Sequence, residues 1–203
     1  MEVPYLSYDQ LKATATETLS KSQYRNQFPV AIELIVERDY QMDVIPIPGL
    51  QHAFNIDAYI SRDAKTISVD ESVLENSLYR YRFSLAHELG HRVLHRDILQ
   101  DMHFSSIDDW KRQLTSFPQR EYGFLEYQAN TFANCLLVPF NELDVRFDHA
   151  IAFIKSHGLN PAEYPDECLD AICSELGPQF EVSRHVIKFR LNNKHEDFQS
   201  RFA

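Results

Sequence analysis

No apolar run approaches the 18 or so residues that cross a bilayer, and the opening Met1-Glu2-Val3-Pro4-Tyr5 lacks the basic-then-apolar signature of a secretory signal. A cytoplasmic protein with no membrane partner is expected. Cysteine is scarce: Cys135, Cys168 and Cys173 form an odd count without the paired spacings of a zinc ribbon or a disulfide framework, which suits a reducing compartment. Glycine is scarcer still for the length, at 5, and neither an internal repeat nor a low-complexity linker divides the chain, so compactness is the default. Positive charge is also in deficit. With 20 Lys+Arg against 30 Asp+Glu the formal charge is −10, and such a surface repels phosphate backbones, so no direct contact with nucleic acid is expected. What remains is 203 residues, 44% hydrophobic and 25% charged, enough to bury a substantial core as one domain with a small appendage.

The pattern along the chain predicts an α+β fold. Tyr5 to Gln23 reads as an exposed helix, and Pro29 to Asp39 as a second helix with an apolar stripe. A strand follows at Asp43 to Ile47, halted by Pro48 and Gly49. Ile56 to Ile60 and Thr66 to Val69 alternate around Arg62-Asp63-Ala64 as a hairpin, and Glu71 to Asn76 reads as a short helical turn. Two central helices run from about Tyr79 to His95 and from about Glu121 to Val138, the second closed by Pro139. Between them Arg96 to Arg120 is long and mixed, with the only tryptophan, Trp110, and the Ser105-Ser106 pair, as in a lid or partner-binding loop. Further helices are expected near Phe147 to Ser156, Asp166 to Leu176 and Ser183 to Leu191.

Chemistry concentrates in the first central helix, which reads Ala86-His87-Glu88-Leu89-Gly90-His91 and continues to His95. Histidines at i and i+4 leave one helical face a turn apart, so their imidazoles can converge on one divalent ion. Zinc suits that donor type, although manganese or iron could occupy two histidines and a carboxylate. The residue after the first histidine projects beside the pair, where Glu88 can take a proton from water as general base. A catalytic ion needs a third protein ligand. Glu126 and Asn130 share a face of the second central helix, while Ala129 and Ala133, with Gly90 opposite, let the two helices approach closely. Spacing makes Glu126 the reasonable third ligand and leaves nearby Glu121 as a competitor. Asn130 is free to accept an N–H from a liganding imidazole and fix its tautomer.

The run Arg82-Phe83-Ser84-Leu85-Ala86-His87-Glu88-Leu89-Gly90-His91 is followed by Glu126-x-x-Ala129-Asn130-x-Phe132-Ala133-x-x-Leu136-Leu137-Val138-Pro139. Together they resemble the ImmA/IrrE metallopeptidases, and Val182-Ser183 and Arg190-Leu191 resemble that family's downstream positions. The resemblance extends from about Pro29 to Leu191. It implies a gluzincin-like zinc site with His87, His91 and Glu126 as ligands, Glu88 as base and one Zn2+ per chain. It also implies a substrate class, since members are similar to proteases that cut a helix-turn-helix repressor and so relieve transcriptional repression. Many relatives carry a helix-turn-helix module before the peptidase region, and residues 1 to 28 are too short for one. The expected organisation is therefore an N-terminal helical extension at 1–28, a metallopeptidase core at 29–158 with a small antiparallel sheet flanking the active-site helix, and a C-terminal helical subdomain at 159–203 packed on the core.

Other residues are weighed against blander roles. Three histidines over eight positions drift about 12 Å along a straight helix, so His95 is a packing or hydrogen-bonding residue and not a fourth ligand. Peptide hydrolysis needs an oxyanion donor, for which His185, Tyr122, Tyr127 and His103 compete, with His185 the weak choice. Leu169 to Leu191 resembles a helix-turn-helix in outline, but residues 159 to 182 hold six acids and no Lys or Arg. Ser183 is read as an N-cap and the Arg184 to Arg190 cations as partners of those acids. Two rivals to a protease are a metal-stabilised protein that sequesters its repressor without cutting it, and a DNA-binding regulator that uses the Arg184 to Arg190 helix.

Overall fold

A computed structural model describes residues 2–102, 109, 112 and 118–202. Helix α1, Tyr8–Lys21, starts in a capping box: Ser7 Oγ accepts the Gln10 N–H and the Gln10 side chain returns the bond to the Ser7 N–H. The expected helix at 29–39 is helical but irregular. A turn of α-helix, α2 (Ile32–Leu34), passes into a π-helical turn at Ile35–Asp39, in which the Tyr40 N–H reaches the Ile35 carbonyl. Ile32, Ile35 and Val36 are thereby all fully buried.

Strand β1, Asp43–Ile47, leads through a short helix, α3 (Leu50–Phe54), to β2 (Ala58–Ile60) and β3 (Thr66–Asp70). The hairpin of β2 and β3 is antiparallel, with Tyr59 opposite Ser68. The sheet as a whole is not. β1 lies on the other side of β3 and runs parallel to it, Val44 opposite Ile67, because α3 and β2 carry the chain back before β3 begins. The order β1-β3-β2 leaves β2 as an edge strand. Asp57 and Ser61 bond across to β3, so the alternation of the ladder turns the backbone groups of Ala58 and Ile60 outward. Asp70, ending β3, caps α4 (Glu71–Asn76) by accepting from the Ser72 and Val73 N–H groups, and it also accepts from the Gln51 N–H of α3.

Helix α5, Leu78–Leu94, packs on the sheet, and α6, Arg96–Asp101, opens the long connector. The Ser105-Ser106 pair, Trp110 and His103 lie outside the described residues. Helix α7, Gln119–Leu137, packs closely against α5. A Cβ on Gly90 would lie 3.1 Å from the Phe132 ring and 3.2 Å from the Ala129 backbone, so the small-residue reading of this contact holds. Helix α8, Phe140–Ser156, begins directly after Pro139, earlier than expected because proline ends one helix and suits the start of the next. Helices α9, Pro165–Phe180, and α10, Arg184–Leu191, follow. One hydrophobic cluster runs from Tyr8 through Leu85, Phe132 and Phe147 to Phe198 and Phe202. Among the described residues no helix is long and apolar enough to cross a membrane.

Charges fasten the two ends of the chain to this core. Arg82, 4% exposed, donates to both Glu33 carboxylate oxygens and to the Val30 carbonyl, tying α5 to the segment around α2. Arg190 is fully buried. It donates to the Tyr8 hydroxyl and the Cys135 sulfur and pairs at 2.9 Å with Glu196, which Lys12 reaches at 2.9 Å from α1. Arg184 and Lys188 pair with Asp170 at 3.1 and 2.9 Å, as acid partners were expected to hold them. Ser183 occupies the N-cap position of α10 with extended dihedrals, but its side chain makes no capping bond.

Candidate metal centre and active site

His87 and His91 leave the same face of α5, towards the face of α7 that carries Glu126 and Asn130. The two imidazole Nε2 atoms lie 3.0 Å apart. One Glu126 oxygen lies 3.4 Å from His87 Nε2 and the other 3.7 Å from His91 Nε2. Among the described residues these three form the one cluster of His, Cys, Asp or Glu able to gather on a metal ion. Glu121, the competitor, is turned elsewhere: its carboxylate accepts the Val3 N–H at 2.6 Å.

Hydrogen bonds on the far sides of the rings govern what the Nε2 atoms can do. His87 Nδ1 lies 3.0 Å from Asn130 Oδ1, an oxygen that only accepts, so Nδ1 carries the proton. His91 Nδ1 faces His95 Nδ1 at 3.1 Å, and His95 Nε2 faces Gln128 Oε1 at 2.9 Å. With the His91 proton also on Nδ1, two bare Nε2 atoms at 3.0 Å would repel each other, and a proton or a metal ion would be needed between them. Burial works to lower the His87 pKa, but the Glu126 and Glu88 carboxylates outweigh it and raise the value, so in the metal-free protein a proton on His87 can serve. His91 is held well below its ordinary value, first by burial and then by the neighbouring His87 and His95. A tetrahedral zinc with bonds of 2.0–2.1 Å keeps its ligand atoms about 3.3–3.4 Å apart. The observed spacings, 3.0 Å between the imidazole nitrogens and 3.4 and 3.7 Å from them to the two different Glu126 oxygens, bracket that distance.

Glu88 lies beside this cluster, 6% exposed, and accepts a hydrogen bond from the outward-facing Ile60 N–H of β2. Burial pushes its pKa up to about 7, with the Glu126 charge adding to the rise and His87 opposing it. The carboxyl is thus poised to exchange a proton near neutral pH. The Tyr122 hydroxyl, on α7, lies against the Glu126 carboxylate; burial first and the Glu126 and Glu88 charges second raise its pKa to about 12, so it keeps its proton. His185 is instead exposed on α10, on the wall of a groove of about 1060 Å³ that also includes Leu78, Phe83, Tyr127, Asn130 and Phe189. Asn130 joins the two features, since it lines the groove and holds His87.

Sequence reasoning missed the Ile60 N–H, because a backbone donor has no residue type to betray it. It named Tyr122 without being able to prefer it, although the one-turn spacing of Tyr122 and Glu126 was a usable signal.

Two histidines and a glutamate from facing helices, with a second buried glutamate at their side, define a metallopeptidase-like centre in an α+β domain. The family model described as the IrrE N-terminal-like domain, a peptidase family, matches residues 42–192, and the chain belongs to that family. Comparison with curated proteins yields no match.

Proposed function

We propose that the protein is a zinc-dependent endopeptidase that hydrolyses a peptide bond in a partner protein, a helix-turn-helix transcriptional repressor, and thereby relieves repression. One observation carries the reading: two imidazole Nε2 atoms 3.0 Å apart with the Glu126 carboxylate closing the third side, a ligand set able to gather on one divalent cation. His87, His91 and Glu126 would hold the ion. When bound, zinc supplies Lewis acidity that polarises the scissile carbonyl and acidifies water.

The chain's own groups do the rest. Glu88 takes the proton from the attacking water and passes it to the leaving amine, a shuttle favoured by a carboxyl that titrates near neutrality. Tyr122, protonated at working pH, donates to the developing oxyanion, and its place against Glu126 favours it over His185. A substrate strand adding along the β2 edge would align its backbone beside Glu88, while the groove by Phe83, Tyr127 and Phe189 takes apolar side chains. The repressor as substrate rests on the likeness to proteases of that specificity, and cytoplasmic location is the setting in which such a partner is met.

The test is incubation of the zinc-supplemented protein with a helix-turn-helix repressor encoded beside it. Cleavage at a single site, lost in Glu88→Gln, is expected. An intact repressor whose DNA binding is nonetheless blocked would favour sequestration. Tyr122→Phe should lower kcat about 10²- to 10³-fold while zinc is retained, and an unchanged kcat would move the oxyanion donor elsewhere.

A further inference from the structure

His91 is governed from the far side of its ring. His95, 1% exposed and just past the end of α5, presents Nδ1 to His91 Nδ1 at 3.1 Å and Nε2 to Gln128 Oε1 at 2.9 Å. Gln128, also 1% exposed, donates from Nε2 to the Pro4 carbonyl at 2.8 Å. The last member of this chain sets the direction of every proton in it. A carbonyl oxygen only accepts, so the Gln128 amide must turn its nitrogen to Pro4 and its oxygen to His95. That oxygen only accepts, so His95 Nε2 carries a hydrogen, and in the neutral ring Nδ1 is left bare. His91 Nδ1 must then donate to it, which leaves the lone pair on His91 Nε2, facing His87 and Glu126. The opposite set of protons would place a hydrogen on His91 Nε2 and block the cluster.

We propose that His95 and Gln128 are positioning residues that lock His91 in the Nδ1–H tautomer with its Nε2 free for a divalent cation, and that the Pro4 backbone makes the N-terminal segment part of the metal site. The proposal rests on the reading of His87, His91 and Glu126 as metal ligands. The segment is anchored independently of the relay: the Val3 N–H donates to Glu121 at 2.6 Å, Val3 packs with Ile98 and Leu125, and Tyr5 meets the Phe124 ring edge-on. None of these groups touches the cation side of His91. Their effect passes through the imidazole, as outer hydrogen bonds to metal-bound histidines commonly act.

Two measurements decide it. Zinc dissociation constants of the full-length protein and its variants, read by competition with a chromophoric chelator, should rise about 10- to 100-fold in Gln128→Leu and in His95→Phe. Parental affinity in a folded Gln128→Leu overturns the relay. Long-range proton–nitrogen NMR of the unaltered protein gives the tautomers directly and needs no variant to fold. His95 protonated at Nε2 and His91 at Nδ1 are expected, and a His95 ring protonated at Nδ1 overturns the proposal. Should the unaltered protein bind no zinc, the ligand reading fails, while the tautomer spectra still decide the relay.

Discussion

Helix α7 takes part in two buried polar clusters, and they are built on opposite plans. Around Arg190, the chain supplies its own opposite charge: Glu196 is flanked by Arg190 and Lys12, and the Tyr8 hydroxyl and Cys135 sulfur accept from Arg190 Nη1. Around His87 it does not. Glu88 and Glu126 bring two negative charges when ionised, and the imidazoles turn their Nε2 atoms towards each other. A divalent cation would bring that set to neutrality. The difference separates a cluster that fastens α1 and the C-terminal residues to the core from one whose groups are arranged to take a cation, since a buried charge is tolerated only with a partner, from the chain or from outside.

Each cluster can be broken alone, and the consequences should differ in kind. The largest effect is expected in the site. Glu88→Gln should lower peptidase turnover by about 10²- to 10⁴-fold with zinc content unchanged, and retained turnover would place the base elsewhere. Arg190→Met attacks the other cluster and leaves Glu196 buried beside one cation. Chemical denaturation should register a loss of about 3–5 kcal/mol, with zinc stoichiometry of the folded fraction unaffected. Arg190→Met combined with Glu196→Leu should recover much of that loss.

Next comes pH. In the metal-free protein, burial raises the Glu88 carboxyl from 4.5 to about 7, so between those values the folded chain binds more protons than the unfolded one. The stabilisation is complete below pH 4.5 and is lost as pH rises through 7. Denaturation of metal-free parent and Glu88→Gln at pH 5 and 8 should expose a differential loss in the parent of up to about 3 kcal/mol, and zinc should suppress it by favouring the ionised carboxylate. The smallest effect is mechanical. Gly90→Ala places a methyl 3.1–3.2 Å from Phe132 and Ala129. It should cost about 1–3 kcal/mol of stability and weaken zinc binding, because Glu126 moves away with α7. Equal zinc affinity would mean that the approach of the two helices is not what sets the donor distances.

Much of the site's composition was legible because its spacings are local. His87 and His91 sit one helical turn apart, as do Glu126 and Asn130, and small residues at Gly90, Ala129 and Ala133 announce that the two helices meet. The strands expected at Asp43 to Ile47 and Thr66 to Val69, found at Asp43–Ile47 and Thr66–Asp70, were equally plain from turn residues and alternation. Pairing was not. Nothing local says that β1 joins β3 in parallel, so an antiparallel sheet was expected where a mixed one formed. The π-helical turn at Ile35–Asp39 escaped because its residues share the apolar stripe of an ordinary helix. The link from Pro4 through Gln128 to His95 escaped for a different reason: it joins positions more than a hundred residues apart, through a backbone oxygen that any residue could have provided.

The central claim is that His87, His91 and Glu126 together collect one divalent cation. Calorimetric titration of the metal-free protein with zinc near neutral pH tests it most directly. Saturation at about one zinc per chain is predicted, with proton release as the charge on His87 is displaced, and with loss of the site in His87→Ala and Glu126→Ala. A folded protein that takes up no zinc, or one whose zinc binding survives both substitutions, would contradict the account.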